Sequence, residues 1–291
     1  MITVLIPACN EAGAIGETVA KIGEVLRQAS LHQAEIMVID DGSTDGTAEA
    51  ALTAGAKVMR NPHNVGYGAS LKRGILAAEY ETICIIDADL TYPEKEIPRL
   101  LAAHREGYDM VVAARTGKYY HGSALKSPLR KILRLCVEFA AGRSIPDANS
   151  GMRIFAKSAI REHLSHLCDG FSFTTSLSIA YSLTGRFILF LPTEYHPRVG
   201  HSKVKLFLDA IKTLLYISQT IVYYSPLKMF LLLSGGCVGF AVVFFFIGAV
   251  AKIKAAYFLG IGLLLVATFF FGIGYLADLI RQNTEKSASK N

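Results

Sequence analysis

A chain of 291 residues, 52% of them hydrophobic, is long enough for one sizeable α/β domain with an appendage. Against 24 Asp and Glu stand 30 Lys and Arg, a formal net charge of +6 that suits a membrane surface or phosphate-bearing substrates and does not demand nucleic acid. The five cysteines (Cys9, Cys84, Cys136, Cys168, Cys237) form no C-x-x-C pair and no metal-ligand spacing, which argues against a disulfide or zinc framework and for buried free thiols.

The chain opens on a buried strand at residues 2–6, with no basic leader or cleavage site, so the first part is expected to be cytosolic. Residues 8–13 (ACNEAG) follow Pro7 and lead into a helix that ends near Ala29. A second buried strand, 35–40, runs into the turn-forming cluster 41–46 (DGSTDG), which carries acids at the strand's carboxyl end. Strand 56–60 comes next, then 61–68 (NPHNVGYG) and a helix through Glu79. Gly66 and Gly68 would let a nucleotide approach the backbone, but a G-x-G after the third strand is not a dinucleotide fingerprint.

Residues 82–89 (TICIIDAD) organise the rest. Their β-branched, uncharged run reads as a strand buried on both faces, and it ends abruptly in Asp87 and Asp89. Carboxylates at that position sit where open α/β sheets place their ligands, and two of them can share a hard divalent cation that grips a diphosphate. The β-α alternation predicts a mostly parallel sheet with right-handed crossovers.

Segments 123–142 and 203–224 carry apolar residues at helical spacing, bordered by Lys and Arg, as helices lying in a membrane interface do; the first reads also as an ordinary core-facing helix with a solvated face. Composition breaks near Ser225. Stretches 229–251 and 255–277 are uncharged and each long enough to cross a bilayer, joined by a tight turn at 252–254. Gly235, Gly239, Gly260, Gly262, Gly272 and Gly274 would let the two helices pack closely. Basic residues of the sheet domain and of the tail place both on the cytoplasmic side, with Lys252 and Lys254 in mild dissent. The expected organisation is a catalytic domain at 1–202, an amphipathic helix at 203–226, two spans at 227–278 and a cytoplasmic tail at 279–291. Arg115, Arg130, Arg198 and Lys203 are candidates for gripping phosphates, because guanidinium forks match phosphate geometry.

In order and spacing, residues 4–11 (VLIPACNE), 40–45 (DDGSTD), 64–68 (NVGYG) and 87–90 (DADL) resemble the inverting family 2 glycosyltransferases of the GT-A fold. Downstream, 147–155 (DANSGMRIF) and 198–203 (RVGHSK) resemble the polyprenyl-phosphate sugar synthases within that family, the group of dolichol-phosphate mannose synthase and the undecaprenyl-phosphate glycosyltransferases. The resemblance implies transfer of a sugar from a UDP or GDP donor to a polyprenyl phosphate, with Mg²⁺ or Mn²⁺. It would put Pro7, Ala8, Glu11, Asp40, Asp87 and Ala88 at the donor nucleotide, and Asp87, Asp89 and Thr91 at the metal. Asp89, Asp147, Arg115 and Arg198 would be catalytic, and Arg130, Arg153, Ser202 and Lys203 would hold the acceptor phosphate. Asp147 reads equally as a base, as an orienter of Arg153, or as a turn residue after Pro146. Asp45 and Glu11 read also as helix-terminal acids.

One departure stands out. After residues 170–173 (GFSF) relatives often carry a glutamate, whereas this chain has Thr174, Thr175 and Ser176, so no catalytic role is carried over there. Expected partners are the donor, the lipid acceptor and the membrane, without nucleic acid; a second copy of the chain stays open. A processive polysaccharide synthase is the alternative enzyme, but such synthases usually hold the growing chain with Q-x-x-R-W, and this sequence has no tryptophan. A non-catalytic membrane scaffold is the remaining alternative, disfavoured because Asp40, Asp87, Asp89, Arg153 and Arg198 are all present.

Overall fold

The computed structural model describes residues 1–117, 119, 127–197 and 206–288. The first compact unit, Met1–Ile217, is built on a mixed sheet. Its strands are β1 (Ile2–Ala8), β2 (Ala34–Asp40), β3 (Lys57–Arg60), β4 (Thr82–Ile85), β5 (Met110–Thr116), β6 (Arg153–Ala156) and β7 (Ile188–Glu194), in the order β3-β2-β1-β4-β6-β5-β7. β6 runs antiparallel to both β4 and β5, and the other pairings are parallel. The helices are α1 (Ala12–Gln28), α2 (Thr47–Thr53), α3 (Tyr67–Ala77), α4 (Ile97–Arg105), α5 (Ser127–Ala141), α6 (Lys157–Arg161), α7 (Phe173–Leu183) and α8 (Leu206–Tyr224).

β1 is buried at all seven positions, as a central strand covered on both faces must be. α1 presents Ile15, Val19, Ile22 and Leu26 to the core, a stripe at helical spacing that joins Val4, Ile6 and Val38 of the sheet. Strand order turns back on itself between β1 and β4, which makes the crevice at their carboxyl ends a topological switch point. Pro7 fits there. The β1–β4 ladder ends at Leu5–Ile85, so the N–H that Pro7 lacks would have faced no partner strand. Cys84 and Cys168 are buried, but Cys9, Cys136 and Cys237 are half-exposed, so the expected burial of the thiols holds only in part.

The second unit, Ser218–Asn291, carries α9 (Pro226–Ala251) and α10 (Lys254–Ala288). By length and composition both are able to cross a membrane: Pro226–Ala251 has mean hydropathy 2.5 and Lys254–Thr284 has 2.2. Lys252 ends α9 in the left-handed conformation (φ 54°). Close packing uses fewer of the glycines than the sequence suggested. A side chain on Gly260 would run into Phe245 and one on Gly274 into Phe230, whereas Gly235, Gly239, Gly262 and Gly272 meet nothing within 4 Å. Gly248, against the Tyr257 ring, belongs to the contact and was not anticipated.

Candidate active site

Because β1, β2 and β4 are parallel neighbours, their carboxyl ends bring Ala8, Asp40 and residues 87–89 to one edge of the sheet. Two loops there are stitched together. Asn10, in the left-handed region (φ 53°), receives Thr44 N–H at 2.9 Å on its side-chain oxygen, and its own N–H donates to Ser43 Oγ at 2.8 Å. Glu11 N–H donates to Thr47 Oγ1 and Ala12 N–H to Asp45 Oδ2, at 2.9 and 3.2 Å. Asp45 also accepts from the Thr47 hydroxyl and N–H at the start of α2. Burial would raise its pKa, but these bonds outweigh that and hold it below the usual value. The helix-terminal reading of Asp45 is the one its geometry bears.

Asp40 has no exposed surface. Its Oδ1 accepts Ser43 N–H at 3.0 Å, while Oδ2 has the Arg60 guanidinium at 3.2 Å without an aligned hydrogen bond. Asp41, next to it, does different work. Its carboxylate accepts from Val65 N–H, Gly66 N–H and Asn61 Nδ2, at 2.9, 3.0 and 2.9 Å, and so fixes the loop before α3. Gly66 and Gly68 do not leave backbone open to a nucleotide. A Cβ at Gly68 would lie 2.1 Å from the Cys168 carbonyl oxygen, and one at Gly66 would lie 2.7 Å from that of Asp169, so their bareness serves packing against the chain itself.

At the end of β4, Ala88 is pinned through its carbonyl, which accepts the Thr18 hydroxyl at 2.9 Å. Asp89 is buried, and its Oδ1 accepts both the N–H and the hydroxyl of Thr91, at 3.2 and 2.5 Å. Thr91 is wholly buried, and its N–H and hydroxyl are spent on orienting Asp89. Leu90 sits between them at φ 61°, a strained conformation directly after the D-A-D segment. Asp87 Oδ1 accepts the Tyr67 hydroxyl at 3.2 Å. On its other side lies Gly151, where a Cβ would come within 2.1 Å of Oδ2.

The facing wall is the loop 145–151 between α5 and β6. Asp147 is held as a fork: Arg115 Nε and Nη2 donate to its two oxygens at 2.7 and 2.8 Å, and Arg115 N–H adds a third bond at 3.0 Å. Burial opposes the charge on Arg115, but Tyr92 and Asp147 more than offset it and keep its pKa above the ordinary value. Arg115 also lies 5.4 Å over the Tyr195 ring. Tyr92 accepts Gly151 N–H at 2.7 Å and the Ser150 hydroxyl at 3.3 Å.

Arg153 departs from its expected place at an acceptor phosphate. It is fully buried and spends its donors on the carbonyls of Ser150, Ala148 and Thr174 and on Ser178 Oγ. Burial draws its pKa down to about 10, which leaves it protonated at neutral pH. It is the internal brace of the 147–151 loop. Thr175, in the stretch to which no role was assigned, braces the same loop by donating its hydroxyl to Asn149. No sequence signal marked it, because a lone hydroxyl in an apolar helix looks like any other.

Pro7, Ala8, Asp40, Asp87, Ala88 and Asp89 thus come together on one edge, with Asp147 and Arg115 paired on the facing wall. Glu11 stands at the N-terminus of α1 beside them. Arg198, Ser202 and Lys203 lie outside the described residues, and the side chain of Arg130 in α5 is not among those described.

The profile described as Glycosyl transferase family 2 matches residues 3–164, and the chain belongs to that family. It is 28% identical over 252 residues to the undecaprenyl-phosphate 4-deoxy-4-formamido-L-arabinose transferase of Aeromonas hydrophila, covering 84% of this chain and 74% of that one. It is 27% identical over 210 residues to the dolichyl-phosphate hexose transferase of Haloferax volcanii, covering 71% and 87%. Of two other Haloferax volcanii relatives it spans only 66% and 51% of the length. In fold it is similar to glucosyl-3-phosphoglycerate synthase from Mycobacterium tuberculosis, crystallised with Mn²⁺, UDP-glucose and phosphoglyceric acid (TM-score 0.60, 19% identity, 76% of this chain and 78% of that one). The architecture is GT-A-like.

A divalent cation suits the donor set. Among the described residues no three His, Cys, Asp or Glu side chains converge as a closed metal cage. An ion such as Mg²⁺ needs only one or two carboxylates when substrate phosphates and water complete its shell, and Asp87 and Asp89 supply hard oxygens of that kind.

Proposed function

We propose that this chain transfers a sugar, with inversion, from a nucleoside-diphosphate donor to a polyprenyl phosphate at a membrane. The observation that carries the donor half is the convergence of Asp40, Asp87 and Asp89 at the β1–β4 switch point of a family 2 chain. Asp40, wholly buried with Arg60 at its Oδ2, would underlie the nucleoside pocket at the end of β2. Asp87 and Asp89 would hold Mg²⁺ or Mn²⁺ with the diphosphate, and that ion supplies Lewis-acid stabilisation of the leaving nucleoside diphosphate.

How Asp147 is held supports the acceptor half. A sugar hydroxyl needs a positioned carboxylate base, whereas a phosphate monoester is already ionised near neutral pH. Asp147 has both oxygens committed to Arg115, which equips it to position that guanidinium and not to take a proton. An ionised lipid phosphate held in line needs no such base, and orientation supplies much of the barrier reduction. Arg115, with Arg130, Arg198, Ser202 and Lys203, would grip its charge. The names of the Aeromonas and Haloferax relatives support this acceptor class. The α9–α10 hairpin would anchor the chain, with residues 1–202 as the cytoplasmic catalytic domain, residues 203–226 lying in the interface and 279–291 returning to the cytoplasm; Ile211, Leu214 and Leu215 of α8 are exposed in accord.

The test is a panel of UDP- and GDP-sugars offered to the full chain with a polyprenyl phosphate, scored by extraction of product into organic solvent. One donor should give a phosphate-linked lipid sugar in a divalent-cation-dependent reaction. No extractable product from any donor would refute the reading.

A further inference from the structure

The N-V-G-Y-G segment has a second consequence. Its two glycines press on a neighbouring loop, and the residue between them is aimed inward. Gly66 and Gly68 abut the carbonyls of Asp169 and Cys168, Ala69 N–H donates to Asp169 O at 2.9 Å, and Lys72 Nζ donates to Leu167 O and to Asp169 Oδ1 at 2.5 and 2.7 Å. The first turn of α3 is thereby clamped to residues 167–170. Tyr67 projects from that clamp and its hydroxyl reaches Asp87 Oδ1. Phe171, more than half exposed, stacks on the Tyr67 ring (centroids 6.1 Å, planes 23° apart). Gly151 closes the opposite side of the same carboxylate.

We infer that Tyr67 is a positioning residue for Asp87: its hydroxyl fixes the carboxylate against Gly151 and ties it to the 167–172 loop. The inference rests on the metal-and-diphosphate reading of Asp87 given above. A phenol, with an ordinary pKa near 10, is a hydrogen-bond donor throughout the neutral range. Partners that orient metal-binding carboxylates matter to metal affinity without touching the ion. The loop that clamps Tyr67 is itself tied to α8, where the Ser172 hydroxyl meets that of Thr213 at 2.8 Å and Tyr216 bonds the Cys168 thiol. One side chain therefore connects the carboxylate to the segment that packs on α8.

The experiment is calorimetric titration of Mn²⁺ into the full chain at saturating UDP and, separately, at saturating GDP, without any lipid acceptor. Tyr67→Phe keeps the ring and its stack and removes only the hydroxyl. It should weaken Mn²⁺ binding roughly tenfold, with UDP affinity in chelator and the melting temperature unchanged. Phe171→Ala removes an exposed ring, so folding is not in question, and should weaken Mn²⁺ binding by a smaller factor. Tyr67→Phe binding Mn²⁺ as the wild type does would reduce Tyr67 to packing and overturn the inference. A wild-type chain for which neither UDP nor GDP binding responds to Mn²⁺ would instead overturn the reading of Asp87 and Asp89 on which it stands.

Discussion

Asp87 lies between a hydroxyl and a bare α-carbon, and that confinement makes two residues testable. Gly151→Ala would drive a methyl group to within 2.1 Å of Asp87 Oδ2, with backbone on one side and a short carboxylate on the other. The carboxylate must move, and transfer should fall roughly 10–100-fold, measured as kcat at saturating donor and metal. Asp89→Asn should lower transfer at least as much while leaving the melting temperature near that of the wild type, since Thr91 can still donate to the amide oxygen. Arg153→Lys tests the buried brace. A lysine has no fork to span the carbonyls of Ala148, Ser150 and Thr174, and the change should destabilise the chain by about 1–3 kcal/mol in denaturant unfolding. The carboxylates were readable in the sequence because the motifs at 4–11, 40–45 and 64–68 accompany them; a lone D-x-D at a strand end is common. Arg153 was not, since sequence rules send arginine to the surface, and only the 147–151 loop folded over it supplies the carbonyls that make its burial tolerable.

Among the elements, the first strands are stapled by Glu35. Its carboxylate accepts the Thr3 hydroxyl of β1, Lys57 Nζ of β3 and Glu79 N–H before β4, at 2.8, 3.0 and 2.9 Å. Burial raises its pKa, but these donors outweigh burial and leave it below the usual carboxylate value. A folded-state pKa below the unfolded one contributes stability above the unfolded value, about 4.3, and that contribution is lost as pH falls through the folded value. Glu35→Gln should therefore melt lower than the wild type at pH 7, and the gap should close on acidification below about pH 4. Strand positions were legible from unbroken β-branched runs, and α1 from its stripe of apolar residues. The direction of β6 was not. A four-residue strand carries no sign of which way it runs, and β6, which begins at Arg153, is inserted antiparallel between β4 and β5.

Across the whole molecule, a sheet domain of GT-A-like architecture is followed by two helices apolar enough for a bilayer. Length and hydropathy made those helices legible, but not which glycines serve their contact, because that depends on the rotation of each helix. If the hairpin spans, a cysteine at Ile253, in a variant with the five native cysteines replaced, should be labelled from the outer face of sealed membranes. Labelling from the cytoplasmic face alone would mean a re-entrant hairpin and would break the proposed anchoring. The central claim is the acceptor class, and it is tested most directly by the product formed when the full chain, its nucleotide-sugar donor and Mg²⁺ or Mn²⁺ meet a polyprenyl phosphate and, separately, the matching polyprenyl alcohol. In-line displacement on an α-linked donor predicts a single β-linked sugar on the lipid phosphate and no product from the alcohol. A growing polymer, or equal use of the alcohol, would contradict it.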